Sequence, residues 1–474
     1  MNIRFTLRTV LIAAIVLILP LMMVTAEDRE PLELDADLAV ELALQRNLNI
    51  RTQEIELMIA ERNYSDRWNV FLPQISARST LARPNVEPEA TPDLQGTLQG
   101  LEEFQLTDDP TALDVDEPDD PPRWNLSTNL DISLTLTRQM LVGLEQRTQS
   151  LDDAEFDLRQ ARRETERDVR LSFYELLLQQ EQIALSERRL EEAEQRYEEA
   201  QQDFEDGIID EFTLLSTQVA LENQRPALRR QRQAYDAAIR QFALTLGVPP
   251  EEELELTGDI GIETVELESE RELRARIGRS ADIREARRSI DQIELARDAT
   301  VSQMFPTLTF GYNIDPALEG DPFSSDVFDL DQWEQRSGAF SITLNVPIDP
   351  LLPRSSTRTE LAEQERQREQ AEVAVEQAID GVESRLLTLL ETIEITREAM
   401  ESVMFSVEVA ERALELAEEG YDAGLRDISD VRDAEIDLLD AQLDLLQEQF
   451  DYREALVNLE FLLDTPVSEL TDTQ

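Results

Sequence analysis

From Leu144 to Phe204 the chain runs without a proline or a glycine, and Arg, Glu, Gln, Ala and Leu make up most of the stretch. These are strong helix formers, and at 1.5 Å per residue they imply a helix of roughly 90 Å. The segment from about Ser355 to Gly420 is as long, with Gly381 as its one interior weak point. A helix of that length is not stable by itself in water; it needs neighbours of similar length, as in a coiled coil.

The last helical stretch tells how many neighbours. Val431, Ala434, Leu438, Ala441, Leu445, Tyr452, Ala455, Leu459 and Leu462 follow 3-4 spacing, broken once at Glu448. A second line runs Ile436, Leu439, Leu443, Leu446 and Phe450 on roughly the opposite side. One seam serves a two-stranded coiled coil; two seams suit a helix wedged between neighbours in a wall, with charged faces left to water.

Sliding the sequence against itself until Phe204 meets Tyr421 aligns "FEDGIIDEFTLL" (Phe204 to Leu215) with "YDAGLRDISDVR" (Tyr421 to Arg432). Downstream, Leu221, Leu228, Tyr235 and Ala238 match Leu438, Leu445, Tyr452 and Ala455. A repeat of this length implies two structurally equivalent halves, here 27–258 and 259–474, and not a short-period solenoid.

Each half also carries two alternating runs, expected as strands over about 72–83 and 125–137 in the first and about 305–314 and 338–348 in the second. Strands of roughly 9 to 11 residues can cross a bilayer when tilted. The first pair is separated by an acidic, Pro-containing segment, 84–124, which reads as a long surface loop. Trp124 and Trp333 sit just before the returning strand of each pair, where a membrane-interface aromatic belt would put them.

The segment 1–26 carries Arg4 and Arg8, then an apolar run from Val10, then Val24-Thr25-Ala26, the pattern of a cleaved export signal. The chain as a whole contains no Cys, His or Lys and carries net charge -58. Loss of the two leader arginines takes that to about -60, which disfavours nucleic acid as a partner. Without Cys or His there is no thiol nucleophile, no Ser-His-Asp triad, no usual zinc site and no disulfide framework. The acidic loop lacks the ligand spacing of an EF-hand. Enzyme, metal and cofactor readings are therefore set aside.

An exported chain of two repeats, each with a strand hairpin, very long helices and a glycine turn, resembles the TolC-type outer membrane efflux proteins. The likeness covers nearly the whole mature chain. Its most specific motif is Gly-x-Arg-x-Ile-x-Asp-Val-x-Asp-Ala, matched from Gly424 to Ala434. The resemblance implies a mainly α fold with a β part: long α-helical hairpins in two structural repeats, assembled as a homotrimer into a hollow α-barrel and a 12-stranded outer-membrane β-barrel. It implies a passive exit duct in outer membrane lipid, with a long periplasmic extension. An RND or ABC type inner-membrane pump would supply it through a periplasmic adaptor protein.

Several residues acquire expected roles through the resemblance. Asp430 and Asp433 match aspartates that ring the periplasmic constriction. Tyr421 and Arg426 match the tyrosine and arginine of a latch, whose expected acidic acceptor falls at Thr213; Asp210 or Glu211 is the substitute nearest to hand. Gly207 and Gly424, residues suited to ending helices in the left-handed conformation, would shape tips that an adaptor grips. Asp430 and Asp433 lie three apart and so share a helix face, whereas Asp427 reads as an ordinary helix N-cap. The alternatives are an exit duct for type I protein secretion and, in a different class, a periplasmic coiled-coil scaffold without a barrel.

Overall fold

The computed structural model describes residues 32–83, 124–261, 264–318, 323, 329 and 333–471. The expected export signal and residues 84–123 of the acidic loop lie outside them. In chain order the elements are β1 (Leu32–Leu34), α1 (Ala36–Arg46), α2 (Leu48–Ser65), β2 (Gln74–Ala82), β3 (Asn125–Leu136), α3 (Arg138–Glu205) and α4 (Glu211–Leu246). The second half follows with β4 (Leu254–Leu256), α5 (Glu270–Arg276), α6 (Ala281–Ser302), β5 (Thr307–Leu318), β6 (Trp333–Asn345), α7 (Ser356–Asp422) and α8 (Ile428–Leu463).

The displacement that carries Phe204 onto Tyr421 reappears in the backbone. Helices α4 and α8 are both 36 residues long and start at Glu211 and Ile428. Helices α3 and α7, 68 and 67 residues long, end at Glu205 and Asp422. The compact units do not follow the repeats. One is drawn from 1–53, 159–280 and 382–474, the other from 54–158 and 281–381, so each takes segments from both halves.

In the second unit the strands form one antiparallel sheet in the order β2-β3-β5-β6. Its register sorts residue types by face. Ser76, Asp131 and Asn313 stand in one row, Arg78, Asn129 and Asp315 in the next, while Ile75, Ile132, Tyr312 and Phe340 occupy a row of the opposite face. Successive side chains of a strand alternate faces, so the alternation seen in the sequence becomes one polar and one apolar surface. On the polar face the Asn313 amide donates to Asp315 Oδ2 at 3.2 Å and Asn129 donates to Asp315 Oδ1; Thr135 and Thr309 hydroxyls pair at 3.1 Å. On the apolar face Ile75, Phe340 and Leu344 are about two-thirds exposed. A contiguous apolar sheet face left bare marks a lipid or protein contact. Strands β2 and β6 each keep one side without a ladder partner among the described residues.

Two strands differ most from the sequence expectation. Strand β5 runs on to Leu318 because a register shift at Asp315/Pro316 accommodates the proline, whose missing N–H would otherwise break a ladder. Strand β6 begins at Trp333 and ends at Asn345, so Trp333 opens the strand instead of preceding it.

In the first unit, Leu34, Val40, Val169, Phe173, Leu177, Phe242, Leu246 and Leu256 form a buried apolar cluster. Phe173 and Phe242 meet with centroids 6.4 Å apart. Strand β1 pairs in parallel with β4, Leu32 opposite Leu254 and Leu34 opposite Leu256, so the segment between the repeats is tied to the amino-terminal region. It is fastened to α8 as well. Tyr452 is fully buried and its hydroxyl accepts from the Val265 N–H at 3.0 Å. Arg453 donates to the Ile260 and Gly261 carbonyls at 3.2 and 2.8 Å while lying 4.2 Å over the Tyr174 ring. Carbonyls of an irregular segment need such donors, because unpaired buried groups are costly. Among the described residues no helix is long and apolar enough to cross a membrane.

Candidate functional site

Both hairpin tips end their first helix with the same device. At the first, the Ile208 N–H donates to the Asp203 carbonyl at 2.7 Å and the Gly207 N–H to Phe204 at 3.1 Å. At the second, Leu425 donates to Gly420 and Gly424 to Tyr421, both at 2.8 Å. Gly207 and Gly424 both take φ +70, the left-handed turn that glycine enters without a Cβ penalty. The hairpin exits repeat the pattern, with Gly247 at φ 71 and, at the equivalent place in the second repeat, Asp464 at φ 52. Glycine is required at 247, where a Cβ would lie 2.5 Å from the Arg46 carbonyl oxygen. Asp464 carries its side chain into an ion pair with Arg163.

The helix starts after the tips differ. Asp210 caps α4: its Oδ1 accepts from the Thr213 N–H at 2.9 Å and the Thr213 hydroxyl at 2.7 Å. The Thr213 hydroxyl and amide hold the Asp210 carboxyl below its ordinary range. Asp427 holds the N-cap position of α8, but its side chain makes no capping bond; only its backbone carbonyl is engaged, by the Asp430 N–H at 2.9 Å. This corrects the expectation of an ordinary Asp427 cap, and at the first tip it is Asp210 Oδ1 that holds Thr213.

The expected latch residues gather in one place. A cleft of about 920 Å³ in the first unit is lined by Tyr421, Arg426 and Asp427 from the second tip and by Asp210, Phe212 and Thr213 from the first. Arg426 lies along Gly420, where a Cβ would come within 2.9 Å of its Cδ, so a small residue there gives the guanidinium stem its bed. Above the tips, Arg196 of α3 forms an ion pair with Glu435 of α8, both side chains less than one-fifth exposed. Burial draws the Arg196 guanidinium below its ordinary value, opposed by Glu192, Glu418 and Glu199.

Asp430 and Asp433 are not in the cleft lining. Both are exposed on α8, and Asp433 lies 3.3 Å from the neighbouring Arg432. They open a longer line, because Asp437, Asp440 and Asp444 continue the 3-4 spacing and are exposed too. The equivalent line of α4 reads Thr213, Ser216, Ala220, Asn223 and Ala227, with no charge. Sequence reasoning stopped at the first two aspartates, although the period that found the apolar seams also finds this line. It likewise missed the Gly247 and Asp464 pair, which the alignment of the two repeats would have found.

Trp124 immediately precedes β3, edge-on to Phe323 at 5.6 Å, with the Arg83 guanidinium 5.7 Å from its ring. Trp333 stands opposite Leu318 in the β5–β6 ladder. Among the described residues no group of three or more carboxylates could hold a metal ion.

A family model described as outer membrane efflux protein matches residues 39–248 and 274–465. No curated protein sequence matches the chain. Several solved structures share the fold. The CusC channel has a TM-score of 0.69 at 16% identity, covering 90% of this chain and 91% of that one. The Vibrio cholerae outer membrane protein VceC has a TM-score of 0.65 at 16% identity, covering 91% and 96%. The open state of the Neisseria gonorrhoeae MtrE outer membrane channel has a TM-score of 0.67 at 17% identity, covering 92% and 91%. At such identities the structural likeness is one of fold.

Proposed function

The chain belongs to the outer membrane efflux protein family, and from that premise we propose that it is the trimeric exit duct of a tripartite system. It resides in the outer membrane and is a passive conduit, not an enzyme. Small molecules would pass from an RND or ABC type inner-membrane pump, through a periplasmic adaptor, into a water-filled bore and out. The observation that carries this reading is the four-stranded sheet with a polar face, an apolar face and two open edges. Open edges are removed only by pairing, and three copies joined β6 to β2 close a ring of twelve strands with the apolar face toward lipid.

The periplasmic mouth follows from α8. Under threefold symmetry Asp430 and Asp433 supply six carboxylates around a narrow opening, and Asp437, Asp440 and Asp444 extend the charge along the bore. Like charges so placed concentrate cations and hinder one another's ionisation. Tyr421 and Arg426 tie the second tip to the first in the closed state. Their acceptor on the first tip is Asp210, whose bonds to Thr213 both end on Oδ1, or Glu211 beside it. Trp124 and Trp333 lie at the membrane interface, and the tips at Gly207 and Gly424 meet the adaptor.

Planar-bilayer recording of the purified mature protein tests the reading. A small-conductance, cation-selective pore is expected, and Asp430→Asn with Asp433→Asn lowers its selectivity. Absence of any channel overturns the duct; unchanged selectivity overturns the ring.

A further inference from the structure

The cleft between the two tips runs against the charge of the chain. Over the whole sequence Asp and Glu outnumber Lys and Arg by 102 to 44. The lining of the cleft reverses that ratio, with Arg189, Arg196, Arg426 and Arg432 against Asp210, Asp427 and Glu435. Glu435 answers Arg196, and Asp210 Oδ1 accepts from Thr213. Arg432 has only an exposed contact with its sequence neighbour Asp433, at 3.3 Å, which is worth little. Among the described residues, the side chains of Arg189 and Arg426 make no hydrogen bond, ion pair or ring contact. Arg189 is partly buried, and a guanidinium that loses water without gaining a partner carries a cost. Where acids exceed bases more than twofold, an arginine left without one marks a place kept for a different anion.

The rest of the lining describes the body of that anion. Ile208, Ile209, Phe212, Ile428 and Ile436 supply apolar surface, and Ile208 and Phe212 are 70 and 78% exposed. Gln224, in the same lining, keeps its Oε1 buried without a hydrogen-bond partner among the described residues, an acceptor that asks for a donor. The volume of about 920 Å³ falls within the range of small-molecule sites, roughly 300–1,000 Å³. A bare inorganic anion would leave Phe212 and the isoleucines wet, and an uncharged apolar molecule would leave the arginines unanswered.

We propose that the cleft binds a small anionic amphiphile, an aromatic or polycyclic body that carries a sulfonate or carboxylate and a hydrogen-bond donor. The headgroup lies between Arg189 of α3 and Arg426 of the second tip, the rings lie on Phe212 and the isoleucines, and the donor meets Gln224. A guanidinium has several donors, so Arg426 holds the headgroup and an acceptor on the first tip together. A molecule so placed joins the two hairpins and favours the arrangement that keeps them side by side, the closed mouth. That effect on the mouth rests on the reading of the chain as an efflux duct; the binding itself does not.

Fluorescence titration of the purified mature protein in nanodiscs tests the site. The probes are anilinonaphthalene sulfonate and phenylnaphthylamine, which has the same rings and N–H without the sulfonate. Arg189→Gln should weaken the sulfonate about tenfold, equivalent to about 1.4 kcal/mol, and leave phenylnaphthylamine unchanged. Arg189→Lys should keep most of the sulfonate affinity, and Phe212→Ala should weaken both probes. Because Arg189 has no partner to lose among the described residues, Arg189→Gln should leave the thermal midpoint in place, which separates a lost site from a lost fold. In planar bilayers, sulfonate added at the periplasmic mouth should lower wild-type conductance and spare Arg189→Gln. Equal sulfonate affinity in wild type and Arg189→Gln, equal loss of both probes in that variant, or no saturable sulfonate binding overturns the site; the last is the result if a carboxylate of a second copy already fills the cleft. Binding lost in Arg189→Gln with conductance indifferent to the sulfonate overturns the hold on the mouth. Absence of a channel in the unliganded protein overturns the duct, and the titration still reads the site, so the failures are distinguishable.

Discussion

The α3–α4 and α7–α8 hairpins place their turns, caps and helix ends at matching positions of the repeat, yet their second faces have diverged in opposite senses. On α4 the apolar residues of that face lie only at the tip, and its small neutral line faces the cleft. On α8 the apolar residues begin beyond the tip, and an aspartate line replaces the neutral one. Backbone landmarks are retained because left-handed turns and seams tolerate few residues. Faces that meet only water or a partner are free to specialise, and here one hairpin keeps a short exposed apolar patch at its tip and the other a line of exposed aspartates.

The divergence is sharpest where one repeat has a contact the other lacks. Arg196 and Glu435 correspond to Ala413 and Gln218, so the ion pair between α3 and α8 has no counterpart. Arg196→Met should strand the Glu435 carboxylate and cost about 3–5 kcal/mol, whereas Gln218→Ala should cost little, as read by thermal denaturation of the purified protein. Gly247→Ala should cost about 3 kcal/mol, from left-handed strain plus a clash with the Arg46 backbone. Asp464→Gly, at the equivalent position, relieves strain while losing Arg163, and should change the midpoint far less.

At the tips the repeats should behave alike. Gly207→Ala and Gly424→Ala have open space around the added Cβ, so each should cost about 1–2 kcal/mol of conformational strain alone. A larger loss at one of them would mean that a contact distinguishes the tips within the isolated protein. The smallest effect is expected at the caps. Asp210→Ala should lower the midpoint measurably and Asp427→Ala hardly at all. Because the Asp210 carboxyl titrates below its unfolded value, its contribution is complete above that unfolded value and disappears as pH falls through the folded one. The difference between the two caps should therefore close in acid.

Most of the fold was legible because its signals are long. The unbroken run from Leu144 to Phe204, free of Pro and Gly, leaves little choice but helix, and the alignment of the repeats finds both tips from one pattern. What the sequence did not disclose depended on partners far along the chain. Pro316 reads as a strand end until the β5–β6 register shift is seen to absorb it. Asp427 and Asp210 read alike, yet only Asp210 has a threonine three positions on, which completes the cap. The Tyr421 and Arg426 pair was legible as a motif, but the cleft it lines is completed by the other tip and has no local signature.

The open edges of β2 and β6 also bear on how the protein reaches its membrane. A lone copy in transit carries two unsatisfied strand borders beside an apolar face, the combination most prone to aggregate. Safe passage then requires escort by a holding chaperone or a low concentration of free chains, and assembly should accelerate steeply with chain density. The high negative charge acts as a brake on premature encounters, since like-charged chains collide less often at low salt. In the proposed ring of twelve strands, the edges that would close the wall are thus the ones that make the unassembled chain hazardous.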